Sequence, residues 1–565
     1  MRGVWPLIKL ILRRDRIKLP IWIFMIVIMM VSLPLAMHAT AGTPQELAGL
    51  QAQFQSGSAV MNLITGPFQM INGKIGLGGL TLVKAELFTA VLMAFFATLL
   101  VVRHTRQNEE LGATELIESA EVSRFAPLTA AIIVSLASII LIVILSALGI
   151  IFTVGGIAGG WGVGAPSVTS GAWLFSLEIG GVGLSFTAIA AVVSQLTDTS
   201  SSANSILGVI IGITYILRGI GDVIAKNAAS GMPKMNVWSW LSPFGWGEAT
   251  HSLTFAKWEY LWVPIIFSAL LIPFSYFLLS RRDLGSGLLP SRRGRTHASG
   301  FLLSQIGLTW KLQRNIFLGW LIGSILLVAV IGGVANQITT VYSGSSAMKQ
   351  TIQSLGGTSG ALSISALLSG ILVYVVLLVV AYCLQSLVKT RYEEASGHLE
   401  NILATKTSRI NWLLKHVVFA IIGAIVILMI SGFVTALSAN ISGVTPALNL
   451  WDYSRNMLAY LPVAVAFVGI YVLCFGIIPR LATAVSWLLY VALICVEMFL
   501  SLFAALFHWS DSVKNFLPLQ AFTKIFSGIA NSNDWLAYLL TALIAVFAII
   551  LGLFFWRRRN IASDE

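Results

Sequence analysis

Runs of about 20 apolar residues recur along this chain, and a helix needs roughly that many to cross a hydrocarbon core of ~30 Å. Twelve such runs are found. Those of the first half lie near 19–38, 82–102, 126–151, 173–195, 204–224 and 260–280, and those of the second near 316–335, 365–388, 412–437, 457–478, 485–507 and 536–556. Lipid offers no partner to backbone N–H and C=O groups, so each run is expected to be an α-helix that satisfies its own. Composition agrees. With 57% apolar residues, 10% charged residues and a mean hydropathy of +0.87, the chain lies outside the range of soluble domains. The fold class expected is an all-α polytopic membrane protein with about twelve transmembrane helices.

The net charge of +12 does not point to nucleic acid, because the basic residues stand in short blocks at the ends of apolar runs, with no aromatic-interleaved stripe. Orientation explains them better. With both termini cytoplasmic, inside segments hold 25 of the 35 Lys and Arg, as the positive-inside rule requires. Arg13, Arg14, Arg16 and Lys18 before the first run imitate a signal peptide, but the run is too long and eleven more follow, so an uncleaved first span is expected. Cys383, Cys474 and Cys495 all fall inside apolar runs without metal-ligand spacing and read as interior residues.

A Gly-, Ser- and Arg-rich stretch from Arg281 falls at the midpoint. It divides the chain into a six-span half over 1–280, a cytoplasmic linker over 281–300 and a second six-span half over 301–565. The halves also match in polar residues, which hydrophobicity alone does not produce. Thr105 to Arg124 aligns without gaps on Thr390 to Arg409 with eight of twenty positions identical, among them Arg106/Arg391, Glu109/Glu394, Gly112/Gly397, Glu115/Glu400, Ser123/Ser408 and Arg124/Arg409. Arg16 and Trp22 meet Arg314 and Trp320, and Pro243 meets Pro518. Six is even, so both copies run the same way, as a parallel repeat.

The repeated segment follows the second and eighth spans and is expected to form a short surface helix, with Arg106 reaching Glu109 and Glu110 at i+3 and i+4. Its carboxylates would face the cytoplasm, where a soluble partner could grip them. The pattern Glu-x-x-Gly-x-x-Glu, with Ser-Arg entering the next span, resembles the coupling segment of ABC-2 type transporter permeases. The resemblance implies ATPase-coupling roles for Arg106, Glu109, Gly112, Glu115 and Arg124, and for Arg391, Glu394, Gly397, Glu400 and Arg409. The chain departs from the family at Glu121 and Lys406, where Pro is frequent. The linker start Arg281-Arg282-Asp283-Leu284-Gly285 and the stretch Leu241-Ser242-Pro243-Phe244-Gly245-Trp246 are similar to those of twelve-span permeases that export polyketide antibiotics and other drugs.

That resemblance implies two ABC-2 modules of the type V exporter kind, in a bacterial cell membrane, driven by two copies of a separate ATP-binding subunit that carries ATP and Mg. No cofactor is expected on this chain. A phosphate-cradling loop needs a Gly five positions before the Gly of its Gly-Lys pair, and before Gly73-Lys74 that place is held by Phe68. Neither an HExxH nor a GxSxG pattern occurs, so no enzyme is expected. Trp5 to Lys18 reads as an amphipathic helix in the membrane interface, with Leu302 to Asn315 as its counterpart.

Ionisable residues in spans are functional candidates, since a charge at mid-bilayer costs several kcal/mol unless paired or hydrated. Glu178, Arg218, Asp222 and Glu497 are assigned to the transport pathway; Lys84 and Glu86 stand at the start of the second span. Arg218 and Asp222 are four apart, so mutual neutralisation competes with that reading. Two outer segments, 239–256 and 514–527, place Pro among aromatics and are candidates for short re-entrant helices or interfacial anchors. The function expected is export of hydrophobic or amphiphilic compounds such as antibiotics and drugs, from a chain that binds lipid, a small hydrophobic substrate and the ATPase but no nucleic acid. An ion-coupled secondary transporter and an exporter of lipid or cell-wall precursors are the alternatives.

Overall fold

The computed structural model describes residues 3–40, 66, 69, 71, 74, 76–119, 121–157, 159–224, 232, 235–283, 285–289, 297, 299–333, 335, 362–506, 519–528 and 530–560. Phe68, Gly73, Phe516, Pro518 and linker residues 290–296 lie outside them. The described residues form helices and no strand, with one isolated bridge between Ile71 and Lys74. Two compact units result, Met1–Gly294 and Arg295–Glu565.

In the first unit, α1 (Val4–Arg14) and α2 (Lys18–Thr40) precede the long α3 (Leu77–His104). Two short helices, α4 (Arg106–Glu110) and α5 (Ala113–Glu118), lead to α6 (Ala126–Val154), α7 (Val168–Leu196) and α8 (Ser200–Ile224). The short α9 (Val237–Trp240) and α10 (Pro243–Glu248) then lead to α11 (Trp262–Arg281). The second unit has α12 (Gln305–Gly333), α13 (Leu362–Ala395), the short α14 (His398–Leu403), α15 (Arg409–Ile441), α16 (Leu450–Asn456), α17 (Leu461–Ile477), α18 (Pro479–Leu506), α19 (Gln520–Ser527) and α20 (Ser532–Arg558).

Eleven of the described helices are long and apolar enough to cross a membrane. The 28 residues of α18 extend ~42 Å and supply a twelfth of adequate length. The protein is a multi-pass membrane protein. The described part of every apolar run read from the sequence is mainly helical, and several helices outrun their runs because their polar ends keep the same backbone, as α13 continues past Lys389 and Arg391 to Ala395. By contrast, α17 and α11 are preceded by 3-10 turns that take up the start of their runs. Buried residues make up 72% of the spans on α3 and α7 but 22% of those on α2, α11 and α20. The first pair is therefore interior, while Phe24, Leu270, Leu543 and Phe547 on the others remain exposed, as lipid allows and water does not.

Small residues decide how the interior helices pack. Lipid tails are as apolar as Leu, so helices associate by close approach rather than by leaving water. On α7, a Cβ at Gly180 would lie 2.7 Å from Val143 of α6, one at Gly181 2.9 Å from Pro264 of α11, and one at Gly183 2.8 Å from Met93 of α3. Three neighbours thus close on one helix. In the second unit α17 meets α20 in the same manner, where a Cβ at Gly476 would lie 2.5 Å from the Gly552 carbonyl and one at Gly469 2.7 Å from that of Ala545.

The first amphipathic helix forms as expected, burying Leu7, Ile8 and Ile11 while Lys9, Arg13 and Arg14 stay exposed. Its expected counterpart does not. Beyond a single 3-10 turn at Gly300–Leu303, α12 runs unbroken from Gln305 into the span. The first unit breaks its helix at Asp15, whose carboxylate is held by Arg103 at 2.9 Å and His104 at 2.5 Å. In the second unit Gln313 stays within the helix and bonds His416 at 3.0 Å.

Candidate functional site

Two polar constellations stand at opposite ends of the first unit. The α3 helix carries Glu86 near its start and His104 at its end, which places them ~27 Å apart.

At the His104 end, the repeated segment is broken by Gly112 at φ 71° between α4 and α5, and by Gly397 at φ 74° before α14. Both glycines occupy the left-handed region with open space around them, so the need for glycine is conformational. Ser408 then caps α15 by accepting a bond from Asn411 N at 3.2 Å, which accounts for the Ser before the ninth span.

The residues of this segment divide into two groups. Arg106 is fully buried, donating to Glu109 at 2.7 Å and to the carbonyls of Asp198 and Gly285 at 2.7 and 2.8 Å. Arg282 grips both oxygens of Glu109, through Nη1 at 2.8 Å and through Nη2, and its Nε reaches Gln195 at 2.9 Å. Arg124 donates to the Arg282 carbonyl. In the second unit, Arg559 Nη2 binds Glu394 at 2.5 Å, Arg391 approaches Glu394 at 3.5 Å and Arg409 donates to the Arg559 carbonyl at 2.8 Å. Each unit therefore ties its segment to the residue following its last span. These six assigned residues are holding elements. Glu115 and Glu400, by contrast, are exposed, and their carboxylates bond to no other described residue. Glu110, expected to pair with Arg106, instead accepts from Ser200 N and Oγ at 2.9 and 2.5 Å. The sequence reading missed Arg282 and Arg559, although both belong to Arg runs directly after the sixth and twelfth spans.

The α1 helix lies against this segment, with Arg14 donating to Asn108 at 2.6 Å. Beside it, a cleft of about 400 Å³ is lined by Lys18, Trp22, Phe96, Leu99, Arg103 and Asn204, cations next to apolar walls.

At the far end, four helices bring charges into the interior. Ser242 caps α10 by accepting from Phe244 N at 3.2 Å, Pro243 supplies the fixed first turn, and Gly245 admits the Ser239 carbonyl. The Ser-Pro-Phe-Gly motif is thus a helix start, and it presents Glu248. That carboxylate lies 3.0 Å from Arg218 Nη1, which also binds Asp222 at 2.9 Å. Ser239 donates to Asp222 at 3.3 Å, and the Arg218 guanidinium lies 4.8 Å from the Tyr215 ring centre. Glu178 on α7 accepts from Thr250, and Glu86 on α3 lies within electrostatic reach of all four charges. Burial pushes the Glu248 carboxyl up, against the pull of Arg218. It pushes His251 down to about 4, with Lys257 adding to the effect.

The three first-unit pathway residues read from the sequence, Glu178, Arg218 and Asp222, are therefore together. Glu86 joins them, as does Glu248, which stands in a non-spanning segment and carried no sequence signal. Glu497 accepts from Leu519 N at 2.7 Å at the start of α19, in the second unit.

Comparison with known proteins matches residues 302–557 to the family model described as multidrug efflux system permease Rv1217c, C-terminal domain. The chain is also 29% identical to the multidrug efflux system permease protein Rv1217c of Mycobacterium tuberculosis, over 99% of this chain and 95% of that protein. The chain is thus related to a multidrug efflux permease. The family-model match lies inside the second unit, and the pairwise similarity also covers the first unit with its buried charges.

Proposed function

We propose that this chain is the membrane permease of an ATP-driven ABC exporter of the ABC-2 kind, which extrudes hydrophobic and amphiphilic compounds, drugs and antibiotics among them. It sits in a bacterial cell membrane with both termini cytoplasmic, and a separate ATPase binds and hydrolyses ATP with Mg. Its two halves are copies of one six-span module joined by the linker, so each chain takes two ATPase copies. The observation that carries the reading is the glycine-broken segment found in both units, held rigidly at Glu109 and Glu394 and leaving Glu115 and Glu400 exposed. A rigid element with free carboxylates transmits a push from a docked motor into the spans it is tied to. The whole-length similarity to a multidrug efflux permease supports the cargo class, and the cleft at Lys18 and Trp22 is of a size for an amphiphile.

Co-expression with a candidate ABC ATP-binding subunit tests the reading. Co-purification is expected, with ATP hydrolysis stimulated by apolar compounds. Glu115→Ala combined with Glu400→Ala is expected to leave hydrolysis running while efflux falls by about tenfold, a loss of ~1.4 kcal/mol in coupling. Unchanged efflux in the double variant removes the docking assignment, and transport by the chain alone in liposomes without nucleotide removes the ATP-driven mechanism.

A further inference from the structure

The buried charges at the far end of the first unit do not balance. Glu86, Glu178, Asp222 and Glu248 are 6, 2, 2 and 4% exposed, and among the described side chains the one guanidinium in their midst is the fully buried Arg218, bonded to Asp222 and Glu248. Fully ionised, the group would hold three uncompensated negative charges in a low-dielectric interior, each costing several kcal/mol. Its hydrogen bonds do not supply the missing compensation. Glu86 Oε1, Glu178 Oε1 and Glu248 Oε2 are buried and accept no hydrogen bond of good geometry from a described residue, and the fully buried Ser252 hydroxyl, near enough to Glu178 to favour its charged form, makes none either. Among the described residues, α3 gives Glu86, α7 gives Glu178, α8 gives Tyr215, Arg218 and Asp222, and Gly66 lies beside Glu248 and Arg218. From α10 and the turn after it come Glu248, Thr250, His251 and Ser252, with Lys257 beyond His251. Arg218 is thus the one cation among them in direct contact with a carboxylate.

A metal ion does not fit, because among the described residues no three Asp, Glu, His or Cys come together in an arrangement that could hold one. Protons need only one carboxyl oxygen each.

We infer that this cluster is a proton-binding site of the permease, which holds three exchangeable protons at neutral pH: one on Glu86, one on Glu178 and one shared by Asp222 and Glu248 beside Arg218. Binding adds H⁺ from water to a carboxylate and release returns it, so no other reactant is required. Because the cluster joins α3, α7, α8 and α10, its charge state alters the packing of four elements at once, and the proton acts as a ligand of the unit's conformational equilibrium. The inference is independent of the cargo and of the power source.

Infrared spectroscopy of the full chain in lipid nanodiscs reads these protons directly. At pH 7 a C=O stretch of protonated carboxyls that shifts in D₂O is expected, since solvated Asp and Glu are ionised there. Glu86→Gln and Glu178→Gln are each expected to remove about one third of the band, because each deletes one of three neutral acids. A second measurement, labelling with dicyclohexylcarbodiimide, needs no variant. A protonated carboxyl in apolar surroundings adds across one C=N bond of the carbodiimide, its proton passing to nitrogen and the acyl group then migrating to give a stable N-acylurea. Peptide mass spectrometry is therefore expected to find the adduct on Glu86 or Glu178 at pH 7, and not on the exposed Glu115 or Glu400. Absence of the protonated band in the wild-type protein overturns the inference, as does a band that survives both substitutions intact in folded variants. Adducts confined to other carboxyls overturn it as well.

Discussion

The two units agree at one end and differ at the other. Each ties the segment after its second helix to the residue after its last: Glu109 to Arg282 with Arg124 on the Arg282 carbonyl, and Glu394 to Arg559 with Arg409 on the Arg559 carbonyl. At the opposite end the correspondence fails. The offset of 275 that pairs Pro243 with Pro518 and Asp222 with Glu497 puts Leu493 opposite Arg218 and Thr523 opposite Glu248. The second unit thus lacks the cation together with one of its carboxylates, and its remaining acid is satisfied by a backbone N–H. A buried charge and its partner have to come and go together, because either one alone is costly.

The largest effect tests that statement. Arg218→Leu, which installs the second unit's residue, is expected to destabilise the protein by ~3–5 kcal/mol, the cost of orphaning a buried ion partner. Adding Glu248→Thr is expected to recover part of that loss in thermal unfolding by intrinsic fluorescence. A double variant worse than the single one would break the comparison.

Next comes the holding element. The Arg282 side chain is 2% exposed and hydrogen-bonded along its whole guanidinium, whereas that of Arg559 is 13% exposed, lies over the Phe475 and Trp556 rings and leaves Nε and Nη1 without hydrogen-bond partners among the described residues. Arg282→Ala is therefore expected to cost ~3 kcal/mol or more, and Arg559→Ala less, again by thermal unfolding. Equal losses would mean that the two locks are equivalent despite their burial.

Glycine packing gives a smaller effect that the units should share. Gly183→Ala and Gly476→Ala are each expected to cost ~1–3 kcal/mol through overpacking. Gly476 faces a backbone carbonyl and Gly183 a flexible Met, so the former is expected to lose more, measured by the temperature of aggregation in detergent.

The smallest effect concerns His251, whose counterpart at the same offset is Phe526. Burial holds the imidazole at about 4, below its ordinary 6.5, so the native state keeps it neutral. As the pH falls, the unfolded chain takes up the proton first. The contribution of His251 to stability is therefore constant above about 6.5 and is lost from there toward about 4, by ~1 kcal/mol at pH 5.5, whereas carboxyls kept neutral in the native state contribute a slope of the opposite sign. His251→Asn tolerates the positive φ of 42° at this position and is expected to remove that contribution, read as the difference between the pH-dependent melting curves of variant and wild type. An unchanged slope would place the titration elsewhere.

Much of this was legible along the chain because it is local. Apolar runs require helices wherever water is absent, and the Arg218–Asp222 pair follows from a spacing of four on one helix. The polar repeat at 105–124 and 390–409 was likewise visible as eight identities, and its Gly112 and Gly397 mark the breaks that the backbone takes. Hydropathy could not tell which of its charges are buried. Arg106, Glu109 and Glu115 look alike in sequence, yet the first two are locked inside and the last is exposed, a division made by Asp198 and Arg282 far along the chain.

What the sequence by itself determined, then, is the number and position of the spans and the recurrence of one polar segment, since both depend on residues within a few turns of one another. Only the tertiary structure decided that Glu248 joins Asp222 on one guanidinium with Glu86 and Glu178 close by, and that the arginines ending each unit hold the repeated segment in place. Those contacts link residues more than 20 positions apart, and the glycine-mediated approach of the helices brings them into one low-dielectric interior where each charge requires another.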